Sequence, residues 1–302
     1  MAVGYLGDRS TALSERVRRT IALLRRRGYA VTPARLAEWC LGGPITELEA
    51  RRAVATDPDL VIAKNLVIER SDVARVETIR SRATAHDKDS SDYVEMTLDF
   101  VHTLVALAPF VRGVSIAGSL ASGGFRASDD VDLNLIVDDG HRHIAYVMVN
   151  FLGLLHAIRH RSKPVDDLTR RPIAPRLMTA NLILERSQCM PLSRSDEDMA
   201  FELLVAEPVF GIETMRELVD ANQSLLEHLP QLARRQATLL IESPRRRAPA
   251  VLFPRQLDRP AEWLGGAAWR YMQWTRRHRP DALARVAYVR ATMRPYTLFD
   301  SW

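Results

Sequence analysis

The chain has 302 residues, 47% hydrophobic and 26% charged, which is the balance of a soluble globular protein of two or three domains. No uncharged run approaches the roughly 20 residues of a membrane span, and no apolar core follows the N-terminal charges as a secretion signal requires. A cytoplasmic protein with no membrane partner is therefore expected. The net charge of +5 is uneven: Gln231–Trp302 holds 14 arginines against five acids, a net of +9, while the other 28 basic and 32 acidic residues net −4. The two cysteines, Cys40 and Cys189, lie far apart in no metal-ligand spacing and read as buried or incidental thiols.

Ser14–Arg27 reads as a basic amphipathic helix built on Val17, Ile21, Leu23 and Leu24, with Gly28 as its stop. Thr32-Pro33 opens a second helix through Leu36 and Trp39, cap followed by proline, and Gly42-Gly43-Pro44 ends it. Thr46 with Glu49 three residues on is a capping box for a third helix, closed by Asp57-Pro58. Leu60–Glu69 reads as a strand or a pair of short strands. Three short helices and a strand are the order of a winged helix, whose third helix, here Glu47–Ala55, would enter a nucleic-acid groove. Arg51 and Arg52 on that helix are offset by Glu47 and Glu49, a composition that suits packing or protein contact equally well. Asp72–Ser91, rich in Arg, Asp and Ser, reads as a connection whose end, Lys88–Ser91, is a linker. Asp92–Ala108 follows as an apolar helix, with His102 as a packed or surface residue.

The next stretch, Val111–Asp139, organises the chain. An apolar run ends in Gly118-Ser119, a turn of small residues follows, and Asp130-x-Asp132 heads a second apolar run. Val131, Leu133, Leu135 and Val137 alternate with Asp132, Asn134, Ile136 and Asp138, a strand pattern. Asp130 and Asp132, at i and i+2, are expected on one face, roughly 6–7 Å apart. Two ionised carboxylates at that spacing repel by about 2–3 kcal/mol at an effective dielectric near 20. A divalent cation relieves that repulsion, and oxygen-only ligands favour Mg²⁺ or Mn²⁺. The glycines and serines of 118–124 let backbone N–H groups approach an anion closely. An EF-hand would need glycine where Leu135 stands, and a P-loop would need Gly-Lys-Ser/Thr, which the turn lacks.

His141–Arg161 reads as a helix with His141 and Arg142 at its N-terminus, where backbone donors favour anions. His156 and His160 read as a polar helix end, and Pro164–Pro175, which contains Asp166 and Asp167, as a loop. Leu177–Leu184 is a third strand with Asn181 as its polar interior residue and Glu185 at its end. Ser195–Glu207, Glu213–His228, a segment to Ile241, Ala261–His278 and Asp281–Met293 read as helices. Trp263, Trp269, Tyr271 and Trp274 in the arginine-rich tail read as core, with the arginines as a solvated face. The charge excess there points to RNA or another anionic partner.

Gly118-Ser119, ten residues, then Asp130-x-Asp132 between strands resembles the signature of the DNA polymerase beta nucleotidyltransferase superfamily. The whole order resembles a group of bacterial and archaeal nucleotidyltransferase-like proteins with a winged-helix-like N-terminus, a later Asn-containing strand and a helical tail. The matching residues are Gly118, Ser119, Asp130, Asp132 and Asn181, with Ala221-Asn222 and Leu229-Pro230 downstream. The resemblance implies an α+β fold in three parts: a winged-helix-like domain (1–84), a nucleotidyltransferase core with a small mixed sheet (85–194), and a helical, arginine-rich domain (195–302). It also implies transfer of an NMP from an NTP to a hydroxyl acceptor. Asp130 and Asp132 would bind the metal, Gly118, Ser119 and Ser122 would cradle phosphates, and Arg126 and Arg142 would neutralise phosphate charge. In that family a later strand supplies a third carboxylate. Asn181 stands there instead, and an amide neither acts as a base nor neutralises a cation. The alternative expectation is a catalytically silent nucleotide sensor or a winged-helix nucleic-acid-binding regulator.

Overall fold

The computed structural model describes residues 3–159 and 177–277, with separate positions between 280 and 291; His160 and the loop with Asp166 and Asp167 lie outside the described residues, as does most of Asp281–Met293. The chain is mixed α and β, in two compact units: Met1–Thr84 with Arg194–Leu204 and Asn222–Arg235, and Ala85–Ser193 with Val205–Ala221 and Gln236–Trp302. The residues after 194 are thus divided between both units. Among the described residues no helix is long and apolar enough to cross a membrane.

In the first unit, α1 (Val3–Arg26), α2 (Pro33–Trp39) and α3 (Glu47–Thr56) precede an antiparallel hairpin of β1 (Leu60–Ala63) and β2 (Leu66–Glu69). Thr32 accepts from Arg35 N–H at the start of α2, and Thr46 and Glu49 form the reciprocal capping box of α3. Lys64 and Asn65 turn the hairpin at φ of 50° and 65°, the left-handed pair that a two-residue turn needs. Val17, Ile21 and Leu24 of α1 are buried with Leu36, Val54, Leu60 and Ile68. Arginines of α1 and the residue after it pair within the unit: Arg18 with Asp57 at 2.8 Å, Arg25 with Asp72 at 2.6 Å and Arg27 with Asp198 at 2.8 Å. A cavity of about 20 Å³ between α1 and β2, lined by Ile21, Leu24, Tyr29, Val67 and Ile68, has room for one water.

Residues 76–107 form one unbroken 32-residue helix, α4 (Val76–Leu107), so the linker expected at Lys88–Ser91 is a correction. Serine and aspartate weaken a helix only slightly, whereas Gly or Pro breaks one, and 76–107 contains neither.

The second unit is built on a four-stranded sheet in the order β5-β4-β3-β6: β3 (Val111–Ala117), β4 (Val131–Val137), β5 (Met178–Glu185) and β6 (Glu207–Phe210). β3 pairs antiparallel with β4 and β6, and β4 pairs parallel with β5, giving the small mixed sheet expected. The helix expected over Ser195–Glu207 ends at Val205, and Glu207–Phe210 forms β6 at the sheet edge, where the N–H missing from Pro208 is tolerated. One face of the sheet is apolar, with Val114, Ile116, Leu133, Leu135 and Ile183 packed with Phe100, Val101 and Leu104 of α4 and Ile144 and Val149 of α6 (Arg142–Arg159). Burying each such side chain stabilises the fold by about 1.5–3 kcal/mol. The stretch expected as one helix over 213–228 is two, α8 (Ile212–Asp220) and α9 (Ser224–His228), after α7 (Glu197–Val205). Residues 235–241 are not helical; Ile241 N–H donates to Val209 C=O at 2.8 Å.

Candidate functional site

The opposite face of the sheet carries the polar residues. The register places Ala117, Asp132 and Thr179 in one row and Ser115 and Asn134 in the next. Ser115, Asn134 and Thr179 are each under 5% exposed. At the end of β3 the chain turns through Gly118 at φ +60° into α5 (Gly118–Ser122), a single helical turn. A Cβ on Gly118 would stand 2.2 Å from Asp132 Oδ2, so the turn and the carboxylate approach each other as only glycine permits.

The turn is held by its own side chains. Ser122 Oγ donates to Gly118 C=O at 2.8 Å and closes the helical turn. Asp129 Oδ2 accepts from Arg126 N–H at 3.1 Å and, at 3.4 Å, from Ser119 Oγ. Phe125 is fully buried against Tyr93, whose hydroxyl donates to Ala127 C=O at 3.0 Å, so the turn is anchored to α4. The Arg126 side chain is exposed. Asp130 comes one residue before β4 and Asp132 is its second residue.

Thr179 Oγ1 donates to Asp132 Oδ1 at 2.7 Å and is the neighbour across β4–β5 that the sequence reading missed. Asn181, chosen for that place, is the extra residue of a bulge: Leu133 pairs with Ala180 but Asn134 with Leu182. Its amide donates to Asn134 Oδ1 at 2.9 Å, one row away from Asp132. The one signal in the sequence was Thr179 two residues before Asn181 in an alternating strand. Asn134 Nδ2 is buried with no hydrogen-bond partner among the described residues.

Arg142 is not brought to the aspartates. It opens α6 beyond the far end of β4, and Asp132 to Val137 alone spans about 16 Å. Nor are the first amides of α6 open to an anion. Asp258 Oδ1 accepts from His143 N–H at 2.8 Å and Ile144 N–H at 2.9 Å, and its Oδ2 holds His143 Nδ1 at 2.8 Å. Burial pushes the Asp258 carboxyl up, but the His143 and Ile144 hydrogen bonds outweigh it and hold the group below the ordinary carboxylate range.

Among the described residues no three His, Cys, Asp or Glu side chains converge as a metal cage. The side-chain donors shown beside the turn, Asp132 at Gly118 and Asp129 bonded to Ser119 Oγ, are oxygens only. Such a set suits a hard cation that takes its remaining ligands from water and phosphate. The cysteines stand apart from this: both are buried thiols in no disulfide, and burial pushes the Cys189 thiol up to about 12.

Fold and site together define an α+β protein whose mixed sheet carries Asp132 against the Gly118 turn, with Asp130 just before the same strand. Comparison with known protein families, with curated proteins and with solved structures finds no match.

Proposed function

We propose that the turn and the two aspartates bind a nucleoside triphosphate with Mg²⁺ or Mn²⁺, and that the protein transfers an NMP from an NTP to a hydroxyl acceptor. The observation that carries this reading is the contact of Asp132 Oδ2 with the Gly118 turn. A backbone turn that suits an anion, pressed against a carboxylate, is electrostatically coherent when a cation stands between carboxylate and anion.

In this reading Asp130 and Asp132 hold the metal, which supplies Lewis-acid polarisation of the phosphate and a template for the leaving group. Thr179 fixes Asp132 through Oδ1 and leaves Oδ2 facing the turn. The N–H groups around Gly118 and Ser119 take the outer phosphates, with Ser119 Oγ released from Asp129, and Arg126 screens their charge. The acceptor oxygen bonds to the α-phosphorus, the bond to the β-phosphate oxygen breaks, pyrophosphate leaves and the hydroxyl proton passes to water. The first unit, three helices and a hairpin, is read as winged-helix-like. Its α3 supports a packing role over a groove-reading one, because Arg51 is paired with Glu47 at 2.6 Å.

The test is pyrophosphate release from each of the four NTPs with Mg²⁺ or Mn²⁺, comparing the native chain with Asp130→Ala and Asp132→Ala. Both variants are expected to be inactive; equal turnover in all three chains removes the mechanism. Thr179→Val should raise the Mg²⁺ requirement about 10–100-fold, as loss of a partner that orients a metal ligand does, and Thr179→Ser should restore it.

A second reading, a nucleotide sensor without turnover, is favoured by the uncharged neighbours of Asp132, Thr179 at the hydrogen-bonded position and Asn181 bonded to Asn134. Calorimetry separates the two: NTP binding without pyrophosphate release supports the sensor, and no NTP binding sinks both.

A further inference from the structure

The C-terminal aromatics, expected in the core, divide in the structure. Trp269 is partly buried against the sheet core. Trp263, Tyr271 and Trp274 are 70%, 63% and 54% exposed on α10 (Asp258–Arg276). Arg259, Arg270 and Arg277 are exposed as well. At about 100° per residue, Arg259, Trp263, Arg270, Trp274 and Arg277 fall within an arc of about 60°, along about 27 Å of helix. Tyr271 flanks that arc and stacks on Trp274 with ring centres 6.1 Å apart, while the Arg277 guanidinium lies over the other end of the row, 4.3 Å from the Trp274 ring. The two acids of this helix are off the arc: Asp258 is bonded to α6, and Glu262 sits about 100° from Trp263.

We infer that this face of α10 binds single-stranded RNA, the tryptophans stacking on bases and the arginines meeting phosphates. Three features choose this occupant. Flat rings exposed at this level suit unpaired bases, each of which has a face to stack. The net of +9 over Gln231–Trp302 complements a polyanion. And arginines interleaved with tryptophans on one arc differ from an interfacial membrane helix, which segregates its apolar face from its charged one. Unpaired bases are the ordinary state of RNA and a transient one in DNA. The surface is independent of the aspartate site.

The experiment is fluorescence anisotropy of the full chain with a labelled 20-nucleotide oligouridine at several salt concentrations. The native chain is expected to bind, with affinity falling as salt rises. Trp263→Ala with Trp274→Ala should weaken binding tenfold or more at unchanged salt slope. Arg259→Gln with Arg270→Gln and Arg277→Gln should make the log–log slope shallower by about 2. Unchanged affinity in both variants overturns the proposal. So does preference for oligothymidine, for duplex RNA, for anionic vesicles or for polyglutamate. Should a variant misfold by circular dichroism, quenching of the native chain's tryptophan emission by the RNA decides instead, and no quenching at saturation counts against it. Asp130→Ala is expected to keep full RNA affinity, so failure of the triphosphate reading and failure of this one are distinguishable.

Discussion

Gly118 carries two constraints at once, a φ of +60° and a carboxylate oxygen where a Cβ would stand. Gly123, five residues on, carries only the first: its φ is +90° and nothing lies within 4 Å of a Cβ built there. The pair separates backbone strain from steric displacement. Gly123→Ala should cost about 1–2 kcal/mol in urea denaturation, the left-handed penalty alone. Gly118→Ala should cost more and should also abolish NTP binding by calorimetry, because Asp132 must move. Equal costs, with binding retained in both, would show that the approach of turn and carboxylate is not used. Thr179 illustrates the same scale from the other side. It is an unremarkable residue in an apolar strand whose only special property is the oxygen it faces.

Among the elements, α4 gives the sharpest test, because sequence and structure disagree there on a segment with exposed side chains. Lys88 is exposed on the helix, so Lys88→Pro changes little except the backbone. A linker would accept it at no cost; a continuous helix loses a hydrogen bond and gains a clash, about 3 kcal/mol. A chemical midpoint unchanged by Lys88→Pro would restore the linker. The strands teach a related lesson. The bulge in β5 puts Asn181 out of the two-residue alternation and hands the place beside Asp132 to Thr179. Pro208 looks like a helix stop and is an edge-strand residue, which only the sheet order makes acceptable.

For the whole molecule, acid is the natural probe, since carboxylates in both units are held below their ordinary range. Hydrogen bonds from Arg25 lower Asp72 and the Ser187 N–H lowers Asp139, while Asp258 is lowered by His143 and Ile144 against the opposing effect of burial. A carboxyl depressed in the folded chain adds stability that is fully present above its unfolded value, near 4, and is lost as pH falls through the folded one. The urea midpoint should therefore hold from pH 7 to 5 and drop as pH falls below about 4. Asp258→Ala should lower stability at pH 7 by about 1 kcal/mol, as loss of a helix cap does, and should flatten part of the acid loss. A midpoint that rises on acidification would contradict the sign.

What the sequence determined by itself is local. The caps at Thr32 and Thr46, the alternation of β4, and the spacing from Gly118-Ser119 to Asp130 and Asp132 each depend on neighbours a few residues apart, and each is visible as a pattern. Tertiary structure alone decided which groups meet across long separations. Thr179 reaches Asp132 over 47 residues, and Asp258 reaches the start of α6 over 115, closing to anions an N-terminus that looked open. It also decided that Trp263 and Trp274 face solvent while Trp269 packs on the core. The physical reason is the same in each case. Burial and pairing depend on which surfaces the packed sheet leaves over, and periodicity along the chain does not record that.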